Sequence, residues 1–130
     1  MIIDDNNISC PFCILESNRD IVIENEKAFA IFDKFPVSNG HLLIIPKLHC
    51  YSYFDLDIEM QNACWDLVNQ GKKLLEKNYS PEGFNIGVNI KESAGQTVPH
   101  AHIHLIPRYA GDVSNPKGGV RGVIPSKKEY

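Results

Sequence analysis

The stretch Asp57-Ile58-Glu59-Met60-Gln61-Asn62-Ala63-Cys64-Trp65-Asp66-Leu67-Val68-Asn69-Gln70-Gly71-Lys72-Lys73-Leu74-Leu75-Glu76-Lys77 decides the fold class, because its period differs from that of its surroundings. Met60, Ala63, Cys64, Leu67, Val68, Gly71, Leu74 and Leu75 recur at three- and four-residue steps, which line one face of an α-helix. Asp57 is placed to cap the start, and Lys72, Lys73 and Lys77 crowd the end, where positive charge suits the helix dipole. Upstream, residues 20–24 and 28–33 are rich in Ile, Phe and Val and are separated by polar Asn25-Glu26-Lys27, which reads as a hairpin. Residues 35–40 carry Pro, Asn and Gly and read as a loop. The nearly continuous apolar run 41–45, ended by Pro46, is expected to be a strand covered on both faces. Downstream, 84–89 alternates strictly, 90–98 is a loop, and 100–106 alternates again. Strands interrupted by one long helix specify an α+β domain with a mostly antiparallel sheet.

The chain of 130 residues fits one domain, with 43% hydrophobic and 22% charged residues close to the soluble average. Residues 1–108 are expected to form the core. Residues 109–130, rich in Gly, Pro and basic residues, form a tail of the same unit, either loose or ordered on another surface. A net charge of -3 argues against nucleic acid as the partner. The start, Met1-Ile2-Ile3-Asp4-Asp5, is acidic where a signal peptide is basic, and no apolar run is long enough to span a bilayer, so a cytoplasmic protein without a membrane partner is expected. Cys10, Cys13, Cys50 and Cys64 are then expected to be reduced, for metal binding or plain burial.

In a strand, His100, His102 and His104 share one face and Ala101, Ile103 and Leu105 the other. Neighbouring histidines stand about 6.6–6.8 Å apart along such a strand, close enough to serve one site. Surface histidines and a catalytic zinc held by all three imidazoles are two readings of this pattern.

A third reading rests on resemblance. The run Gly95-Gln96-Thr97-Val98-Pro99-His100-Ala101-His102-Ile103-His104-Leu105-Ile106-Pro107-Arg108 resembles the signature of the histidine-triad (HIT) family. Upstream, Phe29-Ala30-Ile31-Phe32-Asp33 and Gly40-His41-Leu42-Leu43-Ile44-Ile45-Pro46-Lys47 precede the helix in the family's order. The resemblance implies a HIT-like fold, with a short N-terminal helix or turn, that binds a nucleoside phosphate without an organic cofactor. It implies cleavage at the α-phosphorus through a nucleotidyl-histidine intermediate, with His102 as nucleophile. An imidazole suits that role because it is largely neutral at pH 7 and keeps a free lone pair. By the same resemblance, His104 and the Gln96-Thr97 segment stabilise phosphoryl charge, His100 orients His102 through its carbonyl or ring, and His41 is a further active-site histidine. Asp33 is implied at the ribose hydroxyls, Asn89 near the phosphate, Gly95 at the nucleotide, and Phe12, Leu15, Ile31 and Phe32 around the base, though these four suit the core equally.

Histidine at position 104, where transferase and phosphorylase relatives carry glutamine, favours hydrolysis. Dinucleoside polyphosphates such as diadenosine tetraphosphate are the expected substrate; adenosine phosphoramidate, or nucleotide binding without turnover, is the alternative. The tail cations Lys117, Arg121, Lys127 and Lys128 suit contact with phosphates beyond the scissile one, and equally a solvated tail or a dimer contact. Zinc-bearing members also pair a Cys-x-x-Cys with a histidine after the Ile-Pro-Lys strand and the first triad histidine. Here that set is Cys10, Cys13, His49 and His100, a closed structural zinc site. A homodimer is implied by resemblance alone.

Overall fold

The computed structural model describes residues 10–15 and 19–130; the acidic start at residues 1–5 lies outside the described residues. Five strands form one antiparallel sheet: β1 (Ile23–Glu24), β2 (Ala28–Phe32), β3 (Leu42–Pro46), β4 (Gly83–Gly87) and β5 (Ile103–Arg108), in the order β1-β2-β3-β5-β4. The one long helix, α1 (Ile58–Tyr79), joins β3 to β4. Asp57 caps it by accepting from the Met60 amide at 2.9 Å, and Ser80 ends it in the left-handed conformation at φ 51°.

Strand alternation divides the core in two. Ala28 and Ala30 of β2, Leu42 and Ile44 of β3, and Ile103 and Leu105 of β5 pack against Cys64, Leu67, Val68 and Leu75 of α1. The opposite face carries Phe29, Ile31, Leu43 and Ile45, covered by Cys10 and Phe12. β3 is therefore buried on both faces, as its continuous apolarity requires. Among the described residues of the N-terminal cover, 10–14 form a turn in which the Cys13 and Ile14 amides donate to the Cys10 carbonyl at 3.2 and 3.0 Å.

The strand boundaries differ most from the sequence expectation at β1 and β5, and β4 ends at Gly87 with Asn89 beyond it. β1 is only two residues long, although the Val22 amide still donates to the Ala30 carbonyl at 2.8 Å. β5 begins at Ile103 rather than at residue 100, because the His100 amide bonds the Val98 carbonyl and the Ala101 amide bonds the Cys50 carbonyl, both outside the ladder. At its other end β5 runs through Pro107, beyond its last pairing with β3 at Leu42–Leu105. The tail is not loose: 3-10 turns at Gly119–Val123 and Pro125–Lys127 fold back beside β4.

Gly40 permits the entry into β3. Its φ is +93°, and a Cβ there meets Leu75 Cδ2 at 2.8 Å. Gly40→Ala is expected to cost about 3 kcal/mol from backbone strain and overpacking together. Urea denaturation checks this as a midpoint lowered by about 1 M or more.

Candidate active site

Register aims His104 at the face away from α1, opposite Leu43 of β3 and Gly87 of β4. His102 precedes the strand, and its ring lies 5.0 Å from both the His104 and Phe12 rings. These histidines line a cleft of about 470 Å³ together with Phe12, Asp33, Leu43, Asn89, Gly95 and Thr97.

Hydrogen bonds fix the tautomers. A carbonyl only accepts, so His102 Nδ1, 2.9 Å from the His100 oxygen, carries the proton and leaves the Nε2 lone pair free. The Val37 amide donates to His41 Nδ1 at 3.2 Å, which puts the His41 proton on Nε2. That proton points at His104 Nδ1, 3.0 Å away, with Asp33 Oδ2 at 3.4 Å. His104 Nδ1 therefore accepts, and its own proton sits on Nε2 as a donor. Asp33 is fixed in turn by the Phe35 amide, which donates to Oδ1 at 2.9 Å.

Burial keeps the imidazoles neutral. It lowers His104 to about 4, helped by repulsion from His102 and His41 and opposed by Asp33. It also lowers His102 and His41, in both cases against the pull of the Asp33 carboxylate. A depressed histidine pKa contributes stability that is complete above the unfolded value near 6.5 and is lost as pH falls toward 4. His104→Gln is accordingly expected to lessen the drop in melting temperature between pH 7 and pH 4.5. Thermal melts of both proteins at the two pH values check it.

His100 faces the other way and is fully buried. Its Nε2–H donates to the Pro46 carbonyl at 2.8 Å, so Nδ1 presents a lone pair toward Cys10 Sγ at 3.5 Å and Cys13 Sγ at 3.4 Å. His49 Nδ1 lies 3.1 Å from Cys13 Sγ, and the four ligand atoms fall within 4.8 Å of one another. Tetrahedral zinc with ordinary Zn–S and Zn–N bonds sets sulfur–nitrogen separations of about 3.5 Å. The donor set fits zinc, and the Pro46 bond fixes the orientation of the His100 ring toward the two thiols. Burial and the neighbouring Cys10 push the Cys13 thiol up to about 11. Cys50 lies outside this set and donates to the Ser52 carbonyl at 3.2 Å.

The three histidines of the run do not converge on one point suited to a metal among the described residues. Asp33, His41 and His104 do cluster, but the protonated Nε2 of His41 makes that trio a hydrogen-bonded relay.

The other residues singled out by sequence divide. Thr97, Asn89 and Gly95 line the cleft. Gln96 is buried, and its side-chain amide is used internally: Nε2 donates to the Tyr51 and Val98 carbonyls at 2.7 and 3.0 Å, and Oε1 accepts from the Lys91 amide at 2.8 Å. Ile31 and Leu15 belong to the core beneath the cleft. Phe32 alternates to the helix face, with its ring 6.2 Å from that of Tyr79. Pro11, Arg19, Lys34, Phe35, Leu43 and Val98 also line the cleft and were not anticipated. The closeness of Lys34 and Phe35 to Asp33 was the one available signal, and Phe35 is 80% exposed at the rim.

Residues 15–111 match the model of the HIT domain. A HIT-like protein of Mycoplasma pneumoniae is 42% identical over 79% of this chain and 74% of its own. The bis(5'-adenosyl)-triphosphatase of Dictyostelium discoideum is 32% identical over 81% of this chain and 69% of its own. A zinc-bound histidine triad family protein of Mycobacterium smegmatis superposes with a TM-score of 0.76 at 29% identity, covering 84% of this chain and 81% of that one. Among the described residues no helix is long and apolar enough to cross a membrane.

Proposed function

The chain belongs to the HIT family, and on that premise we propose that it is a nucleotide hydrolase whose His102 attacks the α-phosphorus of a nucleoside phosphate. The observation that carries this reading is the 2.9 Å bond from His102 Nδ1 to the His100 carbonyl, which leaves Nε2 unprotonated beside an open cleft. In the first step an Nε2–P bond forms while the P–O bond to the departing phosphate breaks, its electron pair leaving with that oxygen. His104 Nε2–H donates to a non-bridging oxygen, where charge accumulates. Thr97 lies at the cleft to orient or protonate the leaving oxygen. Water then attacks phosphorus, the N–P pair returns to Nε2, and a nucleoside monophosphate departs with release of a proton.

Asp33 accepts from the ribose hydroxyls, Asn89 lies near the phosphate, and Phe12, Leu43 and Phe35 wall the base. Gln96 serves by holding the 91–98 loop closed, not by contacting phosphate. A dinucleoside polyphosphate is the preferred substrate, in keeping with the name of the Dictyostelium relative. Cys10, Cys13, His49 and His100 hold a structural zinc, which supplies folding energy and no reaction step. A cytoplasmic homodimer is the setting we assign to it.

Mass spectrometry of products from diadenosine polyphosphates and adenosine phosphoramidate, with metal analysis on the same sample, tests this reading. A nucleoside monophosphate from at least one substrate is expected. No turnover of any of them, with binding retained, contradicts it in favour of a binding module.

A further inference from the structure

The tail cations suit distal phosphates, a solvated tail or a dimer contact equally, and two of them, Arg121 and Lys128, are bonded within the tail itself. Arg121 donates from Nη2 to the Lys127 carbonyl at 2.7 Å and from Nε to the Lys128 carbonyl at 3.2 Å, and its guanidinium lies 4.5 Å from the Tyr130 ring centroid. Lys128 Nζ donates to the Asn115 carbonyl at 2.7 Å. What the tail turns toward the histidines is apolar. A groove of about 430 Å³ runs from His104 between the sheet and the 3-10 turn Gly119–Val123. Ile106 and Gly87 form its floor, on the same face as His104. A Cβ at Gly87 would meet nothing within 4 Å, so the floor is open beside His104. Val37, Val120 and Val123 form the walls and are 71%, 59% and 75% exposed.

Two relations say what belongs there. The groove is continuous with the nucleotide cleft, since His104 and Asn89 line both, whereas His102 lines the cleft alone. In phosphoryl transfer the leaving group departs in line with and opposite the nucleophile. A group leaving away from His102 on the His104 side therefore enters this groove. Its size suits a small-molecule subsite, and its apolar walls suit the faces of a planar base better than they suit phosphate.

We propose that the groove formed by Val37, Gly87, Ile106, Val120 and Val123 binds the nucleoside of the leaving group, so that the tail selects dinucleoside substrates through their second base. This rests on the hydrolase reading for the direction of departure.

The test uses His102→Ala with its metal complement intact. Calorimetry compares diadenosine tetraphosphate with adenosine 5'-tetraphosphate, which lacks only the second nucleoside, in roughly 0.3 M salt to reduce the effect of their unequal charge. The dinucleotide is expected to bind at least about tenfold more tightly, and the advantage is expected to vanish when Val120→Ser and Val123→Ser are added. Equal affinities, or an advantage that survives the serine pair, overturn the proposal. So does a change of oligomeric state in the serine variant by sedimentation, which assigns the groove to contact between copies. Failure of the hydrolase reading appears separately, as absence of turnover of diadenosine tetraphosphate by the unsubstituted protein.

Discussion

His102→Ala is expected to lower turnover at least about a thousandfold while changing nucleotide affinity by no more than about threefold, because loss of a nucleophile removes a bond formed only during reaction. The geometry makes the two effects separable. Asp33 is held by the Phe35 amide, a bond that does not involve the His102 ring. His41 reaches His104 without passing through His102. The substitution also leaves the side chains of Cys10, Cys13, His49 and His100 in place, so the metal content is expected to be unchanged. Pre-steady-state kinetics and calorimetry on one preparation check the pair of outcomes. Equal losses of affinity and turnover would assign His102 to binding rather than attack.

The second large effect is on stability. Cys13→Ser is expected to abolish zinc binding, and a metal present at about a thousand times its dissociation constant contributes about 4 kcal/mol to the folded state. For a domain of this size that loss lowers the melting temperature by roughly 15 °C. The core on the α1 side, built from α1, β2, β3 and β5, contains none of the metal ligands, so the variant is expected to remain folded at 25 °C. Cys10 and Phe12 cap the opposite face, and that cap is where the loss falls. Metal analysis and thermal melts, with and without a chelator on the unsubstituted protein, check this. A melting temperature indifferent to both chelator and substitution would contradict a structural metal.

Legibility in the sequence followed regularity. The helix carried its own period and its Asp57 cap, and both stand where the pattern put them. The doubly covered β3 was legible from continuous apolarity, and the hairpin from the polar stretch Asn25-Glu26-Lys27 between apolar segments, where Asn25 Oδ1 accepts from the Lys27 and Ala28 amides. What alternation misjudged was the entry into β5. Ideal alternation makes His100, His102 and His104 equivalent, but the backbone bonds of His100 and Ala101 to Val98 and Cys50 lie outside the ladder. The His100 ring thereby enters the metal-ligand group, while His102 stays at the cleft. Phe32 and Gln96 were singled out in linear context, whereas strand parity sends one to the helix face and loop closure occupies the other. Arg19 and Phe35 reach the cleft from irregular segments, where no period marks a side chain's direction.

The His41–His104 contact joins positions 63 residues apart, and nothing local in the sequence announces it. It matters because it assigns opposite tasks to neighbouring rings. His104 is held as an Nε2–H donor by His41, and His102 is held with a free Nε2 lone pair by the His100 carbonyl. Two imidazoles of like chemistry are distinguished by what their Nδ1 atoms meet.

A covalent nucleotidyl-histidine intermediate leaves its mark in the stereochemical course at the α-phosphorus. A substrate in which sulfur replaces one non-bridging oxygen, with a single configuration at that phosphorus, hydrolysed in oxygen-18 water, reports whether the number of in-line displacements is odd or even. Attack by His102 followed by attack by water inverts the centre twice, so net retention is expected. Net inversion would mean that water attacks phosphorus directly and would contradict the account.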